Sequence, residues 1–241
     1  MSIDAFIMGL TFIMIHMFAN ELIPANRIHR LKWFSFSGGL AVSYVFVYVL
    51  PTLHKEQLMT KEHHDFFTME SELYFIGLFG VIIFYGIQKV VRKAHVDNQE
   101  NHIGMLFWFQ ISFFGFYNML VAYTVVSQEV LGVQAVFYGL AVGLHFIAVA
   151  HDLWIEYGEA YNRVGRYILA LGIIAGWATG LTLNLSSLTE SIIFAFISGA
   201  MILNVLKYEL PPDHESHFST FTIGVLSYTM ITLSLKYFFQ W

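Results

Sequence analysis

The ionisable side chains of greatest chemical interest fall in one stretch, where His145, His151, Asp152, Glu156 and Glu159 follow one another closely. On a helix, His145, Asp152, Glu156 and Glu159 stand at i, i+7, i+11 and i+14 and share a face, with His151 roughly a hundred degrees round. Imidazole and carboxylate on one face can ligate a divalent metal or carry a proton. A second set, Gln110, Tyr117 and Asn118, is spaced i, i+7, i+8 and can line a path or bond across helices. His16 and Asn20 share a face with Glu21 just beyond, and Lys207 and Glu209 close another apolar run. His54, His63, His64 and Asp65 form a weaker cluster in a polar segment. The chain has no cysteine, so any metal would rest on nitrogen and oxygen ligands alone.

The elements that must position these groups are hydrophobic. Of 241 residues, 57% are hydrophobic and only 12% charged, against about a quarter charged in soluble domains. Eight stretches nearly free of charge are each long enough to cross a bilayer as a helix: 4–23, 34–53, 73–91, 104–127, 131–153, 167–185, 190–210 and 217–238. Segments of alternating polarity, the mark of a membrane barrel, are absent from the sequence. The expected fold is therefore all-α, a polytopic membrane protein forming a single unit over 1–241. The net charge of −5 is spread over loops, which excludes a basic nucleic-acid-binding face. The first apolar stretch lacks a basic leader and a small-residue cleavage site, so it reads as a span rather than a signal peptide.

Nine of the twelve Lys and Arg fall on one side of these spans: Arg27, Arg30, Lys32, Lys89, Arg92, Lys93, Arg163, Arg166 and Lys207. Lys55, Lys61 and Lys236 fall on the other. The positive-inside rule then places both termini on the non-cytoplasmic side of a plasma or inner membrane. The acidic, His-rich segment 54–72 faces out, as does the Asn184-Leu185-Ser186 sequon, which has meaning only in a eukaryote.

Two stretches read alike. The distance from Gly39 to Pro51 equals that from Gly199 to Pro211, with Val45 and Val205, Tyr48 and Tyr208, and Leu50 and Leu210 in register. They lie on the second and seventh spans, which cross in opposite directions. Similar segments in oppositely directed halves are the signature of an inverted-repeat transporter. The halves are the first three and last three spans (1–100 and 161–241), around a central pair (101–160). Each proline is expected to end its helix.

This arrangement, with the Gly-to-Leu-Pro pattern of spans two and seven, resembles the ZIP (Zrt/Irt-like) divalent metal transporters. The stretches 162–180 and 196–217 resemble that family's fifth-to-sixth connection with its sixth span, and its seventh span with the following loop. The resemblance implies eight helices arranged 3+2+3, a homodimer in the lipid bilayer, no enzymatic activity, and a divalent cation (zinc, iron or manganese) as substrate. It also implies a metal path between spans four and five. There the family writes His-Asn-x-Pro-Glu-Gly, and this chain writes Tyr117-Asn118-Met119-Leu120-Val121-Ala122, keeping Asn118 alone. On span five, His145 stands for the first ligand, while Phe146, Ala148 and Val149 replace the acid, the proline and the next ligand. Tyr48 and Tyr208 stand before the two prolines, where the family often has His on span two.

The usual binuclear site is thus degraded. The metal candidates that remain are His145, His151, Asp152 and Asn118, with Gln110, Tyr117, Tyr48, Tyr208 and Glu156 lining the path. Two other readings stay open. One is a non-transporting relative with a regulatory or assembly role and a protein partner. The other is an intramembrane metal hydrolase built on His16, His145 and His151-Asp152.

Overall fold

The computed structural model describes residues 2–24, 26–63, 71–96, 100–127, 132–210 and 216–239. Among the described residues every regular element is helical: α1 (Ile3–Leu22), α2 (Arg27–Tyr44), α3 (Leu50–His63), α4 (Glu72–Val96), α5 (Glu100–Ser127), α6 (Gly132–Tyr157), α7 (Arg166–Thr182), α8 (Ser187–Asn204) and α9 (Phe218–Phe239). The starts follow local chemistry. Ser2 accepts from Ala5 N at 3.1 Å, Asn26 from Ile28 N at 3.0 Å and Ser186 from Thr189 N at 3.2 Å, each satisfying a free amide of a first turn. Asp4 on α1 accepts from Gly132 N at 2.7 Å and so ties the start of α6 to α1.

Among the described residues seven helical stretches are long and apolar enough to cross a membrane, and the apolar helix Ile3–Ala19 is a shorter eighth. The architecture is that of a polytopic membrane protein. Its outward faces agree: only 17% of the α9 window and 28% of the α4 window is buried, and Phe75, Ile82, Ile223 and Met230 stand exposed where lipid would meet them.

Two π-helical turns, Val45–Val49 and Val205–Glu209, fall at the same register of the two matching stretches. The expectation that proline ends both helices fails at Pro51 and holds ahead of Pro211. The first helix runs through Pro51 without a break, because the wide turn hands the Leu50 amide to Val45 O and spares the chain the clash a proline ring makes in a regular helix. In the second, Leu210 turns extended (φ −71, ψ 123) ahead of Pro211, the usual conformation before proline.

Helix packing follows a paired pattern. α2 lies against α9 and α8 against α4, while α1 lies against α6 and α7 against α5. At the α8–α4 crossing a Cβ on Gly199 would overlap the Gly77 carbonyl, so only glycine permits the approach. At the α2–α9 crossing Gly39, the residue in register with Gly199, meets the Phe221 carbonyl in the same manner. Ser43 adds a hydrogen bond to Val225 O at 2.8 Å.

A third π turn, Tyr161–Gly165, leads into α7. Gly158, with φ 48, interrupts the backbone just after α6. The face predicted to run from His145 to Glu159 therefore ends at Glu156, since Glu159 stands beyond the break.

Candidate functional site

α6 carries the site as one stripe. Gln134, Tyr138, His145, Asp152 and Glu156 recur at intervals of four or seven, so they lie on one side of the helix from its start to its end. The surroundings change in three steps along that stripe.

Near the start, Gln134 Nε2 donates to Tyr48 OH at 3.3 Å. Tyr48, Tyr44 and Tyr138 pack as a cluster with Tyr228. The Tyr44 and Tyr48 rings stack at 5.3 Å, and Tyr138 meets Tyr48 edge-on at 5.7 Å. All four are nearly sealed from solvent. This is a plug of aromatic rings, and it closes the stripe on that side.

At the middle, His145 is buried between two partners. Its Nδ1 is hydrogen-bonded to Glu209 Oε1, and its Nε2 lies 3.3 Å from Tyr117 OH. The side chains of His145 and Glu209 are 2% and 6% exposed. A carboxylate this deep needs a partner, and the imidazole is the one it has. The π turn of Val205–Glu209 brings Glu209 there, rotating it toward α6 when a regular helix would carry it elsewhere.

Beyond His145, Asp152 and Glu156 open onto a cavity of about 400 Å³ lined also by Gln110, Asn204, Lys207 and Tyr208. Gln110 Nε2 donates to Glu156 Oε2 at 3.1 Å and its Oε1 accepts from Tyr157 OH. Asn204 is buried, and its side-chain amide, without a hydrogen-bond partner among the described residues, lines the cavity. Two cations share the wall but are held to rings: Arg92 lies 4.6 Å from the Tyr208 centroid and Lys207 4.1 Å from that of Tyr85.

Of the residues singled out in the sequence, Gln110, Asp152, Glu156 and Tyr208 meet at this cavity, and His145 and Tyr117 meet each other deeper in. Tyr48 belongs to the aromatic plug. Asn118 and His151 turn elsewhere. Asn118 Nδ2 lies 2.8 Å from His16 Nε2 on α1, and the His151 ring rests against Phe34 and Trp154 with Nδ1 unpartnered. Among the described residues no group of three or more His, Asp or Glu side chains is placed to hold a metal ion together. His16, His145 and His151 thus form no common centre among the described residues. His54, of the polar cluster, bonds Tyr74 OH at 2.8 Å; His64 and Asp65 lie outside the described residues, as does the side chain of His63.

Glu209 is the functional side chain that periodicity on α6 does not reveal. The repeat did contain a signal, because Glu209 falls in register with Val49, a carboxylate where the first copy is apolar.

Among known proteins, a family described as proteins of unknown function (DUF3270) has a model that matches residues 63–154, a stretch that includes His145 and Asp152 and stops short of Glu209. No curated protein and no solved structure matches the chain.

Proposed function

We propose that this chain is a ZIP-like integral membrane transporter that moves a divalent cation (zinc, iron or manganese) along the α6 stripe. The observation that carries the reading is the buried His145–Glu209 pair, which on α6 stands between the aromatic plug and the cavity that Asp152 and Glu156 line. An ionisable pair at the depth of a membrane is costly and is kept where an ion or proton passes. Asp152 and Glu156 attract a cation into the cavity, whose wall they share with Arg92 and Lys207, each set against a tyrosine ring. The cation then takes the place of the proton between imidazole and carboxylate. Two protein ligands are few for such an ion, so it keeps part of its water shell, with Asn204 and Asp152 bonding to that water.

The packing pattern supports a 3+2+3 inverted repeat. Exchanging α1 with α7, α2–α3 with α8, α4 with α9 and α5 with α6 turns each principal helix pair into another: α2 with α9 becomes α8 with α4, and α1 with α6 becomes α7 with α5. The matched π turns and glycine crossings obey the same exchange. Rocking of these halves against the central pair would open the plug and shut the cavity. Both termini then lie outside the cytoplasm.

The reading is tested by metal content and calorimetric titration of purified protein with zinc, iron(II) or manganese. A stoichiometric ion is expected, weakened in His145→Ala, Glu209→Gln and Asp152→Ala. Binding that all three variants retain would refute the site.

A second reading, a non-transporting ZIP-like protein with a regulatory or assembly partner, draws on the lack of any three-ligand group among the described residues. It predicts no metal in any sample and a partner that co-purifies in stoichiometric amount.

A further inference from the structure

A second cavity, about 470 Å³, lies on the other side of α6 between the end of α1 and the segment entering α7. Its wall includes His16, Glu21, Trp154, Glu159, Asn162 and Arg166. No step of the transport reading uses it.

Two residues of its wall each hold a buried nitrogen, His16 Nδ1 and Arg166 Nε, with no hydrogen-bond partner among the described residues. Both are donors. For arginine this follows from the guanidinium, which is always protonated. For His16 it follows from its neighbour: Asn118 Nδ2 lies 3.4 Å from Leu169 O, and a carbonyl only accepts, so the atom there is the amide nitrogen. The same nitrogen, 2.8 Å from His16 Nε2, donates to it and leaves the ring proton on Nδ1. His16 is 1% exposed, and a buried donor without an acceptor is costly. The remaining Arg166 nitrogens are engaged, Nη1 with Met17 O at 3.4 Å and Nη2 with Tyr167 OH at 3.1 Å. The guanidinium is therefore anchored at the cavity, and among the described residues no carboxylate lies within ion-pair distance of it.

Two donors with a fixed positive charge call for an anion with several oxygens, and phosphate fits. The cavity also has carboxylates. Glu159 is paired with Arg163 Nε at 2.9 Å, whereas Glu21 makes no hydrogen bond or ion pair with the described residues. A ligand that meets both ends carries a phosphate and an ammonium a short distance apart. The exposed Met14 and Phe18 of α1 continue from the cavity along the apolar surface, where acyl chains would lie. We infer that this cavity binds a phosphoethanolamine headgroup, its phosphate on Arg166 and His16 and its ammonium on Glu21.

The test is native mass spectrometry of the delipidated full chain in detergent, titrated with phosphatidylethanolamine, phosphatidylcholine and phosphatidylglycerol, and with soluble phosphoethanolamine as competitor. Phosphatidylethanolamine is expected to bind tightest, since a trimethylated ammonium has no N–H for Glu21 and glycerol has no charge for it. Arg166→Gln should weaken both phosphatidylethanolamine and phosphatidylglycerol by about tenfold, the loss of one charge-assisted contact. Glu21→Gln, at an exposed position that leaves folding intact, should weaken phosphatidylethanolamine alone. Displacement by soluble phosphoethanolamine would make the free ester the ligand, and resistance to it would make it the lipid; both keep the headgroup chemistry. Equal binding of all three lipids, an unchanged lipid ranking in Glu21→Gln, or no adduct at all because water satisfies the two nitrogens, would each overturn the inference.

Discussion

Replacing His145 by leucine leaves the Glu209 carboxylate buried with no partner, and the size of the penalty follows from the burial. With side chains 2% and 6% exposed, neither group can turn to solvent. Breaking such a pair by removing one member costs about 3–5 kcal/mol. Glu209→Leu is milder, because His145 keeps Tyr117 at 3.3 Å on Nε2 and loses only the Nδ1 partner, about 1–3 kcal/mol. The singles thus sum to about 4–8 kcal/mol. The double variant removes both polar groups and fills the space with carbon, so its cost falls to about 1–2 kcal/mol, mostly the Tyr117 hydroxyl left without an acceptor. The cycle therefore predicts a coupling of at least about 2 kcal/mol. Equilibrium unfolding of the four proteins in mixed micelles, followed by the fluorescence of the five tryptophans, measures it. Additivity to within about 0.5 kcal/mol would refute the argument, since contacting buried groups cannot behave as independent sites.

The glycine crossings give a second expectation. Gly199→Ala should destabilise by about 1–3 kcal/mol, because the new Cβ meets backbone that cannot move aside, while Gly86→Ala, with open space around it, should be neutral or stabilising in the same unfolding assay. The chain has no cysteine of its own, so single cysteines report position directly. Asn162→Cys should be labelled by an impermeant thiol reagent only from the cytoplasmic side, and Ser71→Cys only from the opposite side. The aromatic plug predicts that Val149→Cys, at the cavity, reacts with a small thiol reagent while Ala141→Cys does not; adding Tyr138→Ala should make Ala141→Cys reactive.

Much of the architecture is visible in the order of residues, for a physical reason. A lipid-facing helix must be apolar along some twenty residues, and that demand writes its ends into the charge pattern. The α6 stripe is readable too, because helical spacing alone puts His145, Asp152 and Glu156 on one side. What spacing cannot convey is which helix presents the other half. Residue type and spacing admit Asn118 and His151 as partners of His145 as readily as Asp152, yet one faces α1 and the other rests on Phe34. Glu209 reaches His145 only because a π turn rotates it. Such a turn shifts hydrogen bonds by one residue with no mark in composition, which is also why the helix runs on through Pro51. The plug escapes notice for a related reason. Tyr44, Tyr48, Tyr138 and Tyr228 come from three separated helices, and each alone looks like a membrane-interface aromatic.

Cation flux into sealed proteoliposomes is the most direct test of the transport reading. With zinc, manganese or iron(II) outside and a metal-sensitive dye within, the wild-type chain should give uptake above empty vesicles. Glu209→Gln and His145→Ala should abolish it, and Gly86→Ala should leave it intact. Uptake no faster than in empty vesicles for all three metals, or uptake indifferent to the loss of Glu209, would contradict the reading.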